Sequence, residues 1–126
     1  MKVAVTVWEN RISPVFDASR RLLIASIEKA QIKERSYIMF DPAFPASLAR
    51  TLVSLKAPVL ICGAISQMPA NVLVAGGIEL IPFIAGEVEQ ILDACAQGVP
   101  LAPTFTMPGC DTGQHITDTQ HILERK

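Results

Sequence analysis

Residues 20–40 read RRLLIASIEKAQIKERSYIMF, and their reading decides the fold. The stretch from Arg21 to Glu28 is mostly apolar and reads as a strand, whereas Gln31 to Phe40 alternates polar and apolar before turning apolar. Only Lys29 and Ala30 separate the two. A link that short joins neighbouring strands only as an antiparallel hairpin, because parallel strands need a crossover of a dozen or more residues.

Upstream, KVAVTVW (2–8) has the mostly apolar, β-branched pattern of a strand covered on both faces. NRISPVFDAS (10–19) follows as a loop, with Asn10, Ser13, Pro14 and Asp17 as breakers. Downstream the period changes. In DPAFPASLARTLVSLK (41–56), Leu48, Leu52, Val53 and Leu55 approach helical spacing and the prolines stay near the start. PVLICGAI (58–65) is a buried strand. SQMPANVLVAGG (66–77) is a helix, with Ser66 as N-cap, Pro69 in the first turn and a Gly76-Gly77 stop. IELIPFI (78–84) is a short strand. GEVEQILDACAQG (86–98) sets Val88, Ile91, Leu92 and Cys95 on one helical face, which makes Cys95 a core residue. VPLAPTFTMP (99–108) carries no periodic pattern.

The order β-β-β-α-β-α-β-α predicts an α/β domain with a five-stranded mixed sheet and three helices. Setting the first strand beside the fourth gives the spatial order 3-2-1-4-5. The boundaries expected are a domain over residues 1–106 and a C-terminal tail over 107–126, either disordered or metal-ligating.

Composition excludes several function classes. At 126 residues, half of them hydrophobic, the chain can form a core without disulfides or a structural metal. A net charge of −1 offers no basic stripe for nucleic acid and no polybasic run for a membrane surface. The expected core strands hold Glu79 as their one carboxylate, too few for two-metal phosphoryl transfer, so a nuclease is rejected. No apolar run reaches the roughly 20 residues of a spanning helix. Three widely spaced cysteines fit the cytoplasm better than a secreted disulfide framework. No C-x-x-C pair is present, and a nucleophilic cysteine would have to recruit a histidine from the tail. The expectation is therefore a binding domain, not an enzyme.

Two places hold residues suited to a ligand. The tail MPGCDTGQHITDTQHILERK (107–126) contains Cys110 and both histidines, His115 and His121, with Asp111 and Asp118 as oxygen donors. Thiolate and imidazole suit transition metals and iron–sulfur centres. Their spacing matches no structural zinc pattern, and the alternative is a solvated terminus with surface histidines. The second place is Cys62 with Gly63, at the carboxyl end of the fourth strand, where open sheets form ligand crevices. Backbone amides of Gly63 and of the helix starting at Ser66 would face an anion there. The alternative is that Cys62 acts as a small core hydrophobe. Trp8, ending the first strand, reads as a partly buried packing residue.

Three stretches carry a resemblance. MKVAVTVWENRISPVFDASRRLLIASIE (1–28) has a strand, an S-P-x-F loop formed by Ser13 to Phe16, and a second apolar strand. VLICGAIS (59–66) runs an apolar strand into a glycine-containing turn, and AGGIELIPFIAGEVEQILDACAQG (75–98) pairs a Gly-Ile strand start with a Gly-terminated helix. With MPGC (107–110), these resemble the dinitrogenase iron-molybdenum cofactor biosynthesis family over about residues 1–110. The resemblance implies a ribonuclease-H-like fold and the binding of an iron–sulfur or molybdenum–iron–sulfur cluster. It gives Ser13 and Phe16 a place in the cofactor-binding loops beside Cys62 and Gly63, and it takes in Cys110; His115 and the optional His121 lie beyond the resemblance and join Cys110 as candidate metal ligands by their side-chain chemistry alone. It also implies storage or delivery of the cluster, with an acceptor or scaffold protein as partner. Relatives often carry Gly-Gly-x-Gly after the fourth strand, whereas this chain has Cys62-Gly63-Ala64-Ile65-Ser66, which predicts a narrower turn. That substitution keeps open a second reading: a regulatory or protein-interaction domain of the same fold without a cluster. Lys33, Glu34 and Arg35 on the hairpin's outer strand discourage edge pairing, so a monomer is expected.

Overall fold

The computed structural model describes residues 1–109. β1 (Lys2–Trp8) is the central strand, buried without interruption from Val3 to Val7. It pairs antiparallel with β3 (Arg21–Glu28) on one side and parallel with β5 (Val59–Ile61) on the other. β3 continues antiparallel into β4 (Gln31–Met39), and β5 parallel into β6 (Glu79–Ile81). The resulting order is β4-β3-β1-β5-β6. The two-residue link of the hairpin holds Lys29 and Ala30 at φ of 51° and 61°. Left-handed backbone at both positions matches the twist of paired strands, which explains how so short a turn closes without glycine.

The sheet has six strands rather than the five expected. β2 (Arg11–Ile12) folds back on the end of β1, pairing Ile12 with Val7 and Arg11 with Trp8 through a turn in which Glu9 adopts φ 57°. Two residues are too few to show a period of two, so this strand left no pattern in the sequence. The same fold-back leaves Trp8 more than half exposed, at 59%, and corrects its expected role in packing.

Two helices cover one face and one covers the other. α1 (Pro45–Ser54) and α2 (Gln67–Ala75) set Leu48, Leu52 and Leu73 against Ala4, Leu22, Leu60 and Leu80. Val53 and Leu55, expected on the buried side of α1, face outward instead. α3 (Val88–Ala96) sets Val88, Ile91 and Leu92 against Val3, Val5, Leu23, Ile61 and Ile81. Each such fully buried aliphatic side chain stabilises the fold by about 1.5–3 kcal/mol relative to leaving it exposed. Coverage on both faces is the reason β1 reads as a continuous apolar run rather than an alternating one. Cys95 lies at the margin of the α3 layer, half-buried rather than in the centre of the core.

β4 is the outer strand and is exposed along most of its length. Its Arg35 makes a bidentate ion pair with Glu89 in the first turn of α3, at 2.5 and 2.8 Å. The hydrogen bond from Arg35 holds the Glu89 carboxyl below its usual range and raises the arginine. Among the described residues, no helix is long and apolar enough to cross a membrane.

Candidate functional site

β1, β5 and β6 run parallel, so the segments that follow them leave from one rim of the sheet. Two of these are laced together by their backbones. Val15 and Ala64 form a parallel bridge, Phe16 N donates to Ala64 O at 2.7 Å, and Ala64 N donates to Pro14 O at 2.9 Å. Ser13 N donates to Thr6 O at 3.0 Å, which anchors the loop to the end of β1. Gly63 lies against this loop so closely that a Cβ on it would stand 2.5 Å from both Ser13 O and Pro14 O. Glycine is required there by contact with another stretch of backbone, since its own conformation is an ordinary one.

The structure therefore brings Ser13, Phe16, Cys62 and Gly63 together, as the sequence reading expected, and it shows what each does. Phe16 is fully buried in a short 3-10 turn (Phe16–Ala18), its ring centre 5.5 Å from that of Phe40. Ser13 is buried too, and Ser19 Oγ lies 2.7 Å from its Oγ and 2.9 Å from Val15 O. These side chains tie the loop down from beneath. Cys62 is wholly enclosed in the α1–α2 side of the core. Burial first, and the charge of Asp17 second, push its thiol far above the ordinary range. With no exposed surface, its sulfur meets only core side chains, so in this conformation Cys62 packs.

Ser66 stands at the N-cap of α2 without capping it; its hydroxyl donates to Asp17 Oδ2 at 2.6 Å. Asp17 therefore places a carboxylate beside the amino end of α2, where a negative charge is favoured. The protein itself supplies the charge that was expected from an anionic ligand. Ile65 is half-buried and packs on the α1–α2 core.

The segment after β6 completes the rim, and sequence reasoning passed over it. Phe83 adopts φ 60°, an uncommon conformation for a bulky residue. Its N–H donates to Gly63 O at 2.9 Å, and its carbonyl accepts from Met107 N at 2.8 Å. Ile84 bridges antiparallel to Thr106, and Ala85 N donates to Phe105 O at 2.8 Å. The stretch read as patternless is thus stitched to the loop after β6, ending at Met107–Gly109 on the rim. Its only sequence signal was the MPGC resemblance. Thr106 Oγ1 is buried there without a hydrogen-bond partner among the described residues.

Among the described residues, no three His, Cys, Asp or Glu side chains converge to hold a metal ion. Cys110, His115 and His121, with Asp111 and Asp118, lie outside the described residues.

Solved structures with the same fold include PH0822, 19% identical, with a TM-score of 0.68 over 79% of this chain and 93% of that one. A dinitrogenase-like protein of Methanocaldococcus jannaschii is 23% identical, with a TM-score of 0.62 over 78% of this chain and 89% of that one. A NifB-like protein from Thermotoga is 20% identical, with a TM-score of 0.57 over 77% of this chain and 88% of that one. No curated protein sequence matches the chain. Residues 1–98 match the family described as dinitrogenase iron-molybdenum cofactor, a span holding every strand and helix named above. The chain belongs to the dinitrogenase iron-molybdenum cofactor family.

Proposed function

We propose that this protein binds an iron–sulfur or molybdenum-containing cluster as cargo and passes it to an acceptor or scaffold protein, without catalysing a reaction itself. The observation that carries the reading is the stitching of Phe105–Met107 onto the loop after β6. It starts the sequence leading to Cys110 at the rim that also holds the Ser13–Phe16 and Cys62–Ser66 loops. Family membership supplies the class of cargo. The resemblance to ribonuclease-H-like domains belongs to the same reading, and so does a cytoplasmic monomer.

The donor set narrows the assignment of roles. With Cys62 enclosed in the core, thiolate ligation falls to Cys110, with His115 and His121 as imidazole donors. Ser13, Phe16 and Gly63 then serve by fixing the shape of the rim rather than by touching metal. Anaerobic reconstitution with iron and sulfide tests this. Charge-transfer absorption is expected in the wild type and in Cys62→Ala, and its loss in Cys110→Ala. Featureless spectra for all three proteins, or loss in Cys62→Ala alone, would overturn it.

One observation favours a second reading, a regulatory or protein-interaction domain that carries no cluster. Ile65, half-buried against the α1–α2 core, stands in the turn where relatives often have glycine. Protein purified without oxygen that contains no iron or molybdenum, and acquires none on reconstitution, would select that alternative.

A further inference from the structure

The outer edge of the sheet is guarded along only part of its length. β4 has no strand on its outer side among the described residues. Lys33, Glu34 and Arg35 put charges on its first half, of the kind that discourage pairing. From Ser36 to Phe40 no charged residue follows, and Tyr37 and Met39 are 53% and 72% exposed.

The register fixes which backbone groups this unguarded half offers. Arg21 pairs with Met39, and in the next pair Phe40 N donates to Arg20 O at 2.9 Å. Hydrogen-bonded and non-hydrogen-bonded pairs alternate along an antiparallel ladder. Ile38 therefore turns its N–H and C=O toward β3, whereas Tyr37 and Met39 turn theirs outward, with no partner among the described residues. The Ile38 side chain lies on the α1 side. Next to it is a cavity of about 180 Å³, walled by Ile38 and Phe40 and by Phe44, Ser47, Leu48 and Thr51 along one face of α1. Leu48 is buried beneath, but Phe44 is 63% exposed and Ile38 and Phe40 are half-buried, so apolar surface stays open. Small-molecule pockets enclose about 300–1,000 Å³; this smaller space suits one aliphatic side chain. On the opposite face of the strand, the Arg21 guanidinium lies 4.2 Å from the centre of the Tyr37 ring. It has no carboxylate partner among the described residues.

We propose that the Tyr37–Met39 edge docks an extended segment of a partner protein, in which one aliphatic residue stands between two acidic ones. The two acidic residues exchange backbone hydrogen bonds with Tyr37 and Met39, as in other cases of strand addition. The residue between them, opposite Ile38, then points to the α1 side and enters the cavity. The carboxylates stand in the row beside Tyr37 and Met39, where long side chains reach diagonal neighbours, and they face the charge of Arg21. A second copy of β4 fits poorly, because on that face it brings Lys33 and Arg35 to an edge that is already cationic. β4 ends beside the rim, since its last residue pairs with the first of β3. The docked segment therefore lies near the cargo loops, but the inference rests on the edge alone and not on the cargo reading.

Fluorescence anisotropy of a labelled heptapeptide, Thr-Val-Glu-Leu-Glu-Val-Thr, titrated with the full-length protein provides the test. Saturable one-to-one binding is expected, weakening as salt is raised. Peptides with lysine for both glutamates, or glycine for the leucine, should bind at least several-fold more weakly. Methylation of both glutamate backbone nitrogens should abolish binding. Arg21→Gln should weaken it about threefold, the scale of one exposed ion pair. Met39→Pro removes an N–H that faces solvent, a position where an edge strand tolerates proline. That variant should keep its circular dichroism spectrum and lose the peptide. Ser47→Phe fills the cavity from an exposed helical position and should lose it too. The proposal is overturned by no saturable binding, by equal binding of the lysine peptide, or by undiminished binding in Ser47→Phe or in folded Met39→Pro. A concentration-dependent dimer that Met39→Pro disrupts, with no peptide bound, would overturn it in favour of self-pairing.

Discussion

Replacing Gly63 by alanine adds one methyl group at the point where two loops of the rim cross. The new Cβ would stand 2.5 Å from Ser13 O, 2.5 Å from Pro14 O and 2.7 Å from the Pro14 carbonyl carbon. Native Cβ contacts are rarely closer than about 3.4 Å, and all three obstacles are backbone, which cannot rotate aside as a side chain can. Relief requires the loops to part. Overpacking of this kind costs about 1–3 kcal/mol. Parting also weakens the Ala64–Pro14 and Phe16–Ala64 hydrogen bonds, each worth about 0.5–1.5 kcal/mol. A destabilisation of about 2–4 kcal/mol follows. With an unfolding entropy of about 2.1 cal/mol/K per residue, a chain of this length loses about 4 °C of Tm per kcal/mol. The expected drop is therefore about 8–15 °C, measured by thermal and urea unfolding. Gly77→Ala is the control: Gly77 has φ 94° but nothing within 4 Å of an added Cβ, so its cost is conformational, about 1 kcal/mol. At most solvent-facing sites with ordinary φ, glycine to alanine is stabilising. A Gly63→Ala protein within about 0.5 kcal/mol of wild type would refute the account of the crossing.

Other perturbations separate the remaining roles. Cys62→Ser should destabilise by about 1–3 kcal/mol and by more than Cys62→Ala at comparable packing, because a hydroxyl without a partner is costly in that core; equilibrium denaturation of the two variants checks this. Stability should decline as pH rises above about 9, where thiols ionise in the unfolded chain. Burial holds Cys95 protonated up to about 11 and Cys62 still higher, so the unfolded state releases its protons first. Urea titrations between pH 8 and 11 on the wild type and on a Cys62→Ala/Cys95→Ala variant should show the slope only in the wild type. Glu89→Gln should cost about 0.2–1 kcal/mol at low salt, and less at high salt, through loss of the exposed pair with Arg35. Because Arg35 depresses the Glu89 carboxyl, that contribution is present above the usual carboxylate range and is lost as pH falls below it and through the lowered value of the folded state.

The site was legible in the sequence as a neighbourhood more than as a set of roles. The S-P-x-F loop and the Cys62–Ser66 turn could be placed side by side because both follow parallel strands of one sheet. That Ser13 and Phe16 anchor the loop from below, and that Cys62 is sealed, depends on which way side chains point. No local pattern encodes that. Phe83 gave no sign of itself because a left-handed phenylalanine looks like any other apolar residue in IELIPFI. The end of the chain's described part, Phe105–Met107, was unreadable for a related reason: its hydrogen bonds are to a distant loop, so they leave no periodicity.

By itself the amino-acid sequence determined the hairpin, the three helices and the mixed character of the sheet. All of these follow from local rules: a two-residue link, apolar residues at helical spacing, and strands separated by helices. The tertiary structure alone decided the sixth strand, the exposure of Trp8, the burial of Cys62 and the need for glycine at 63. Each of these depends on the distance between segments remote in the chain: a methyl group at position 63 is excluded by the backbone of Ser13 and Pro14, about fifty residues away.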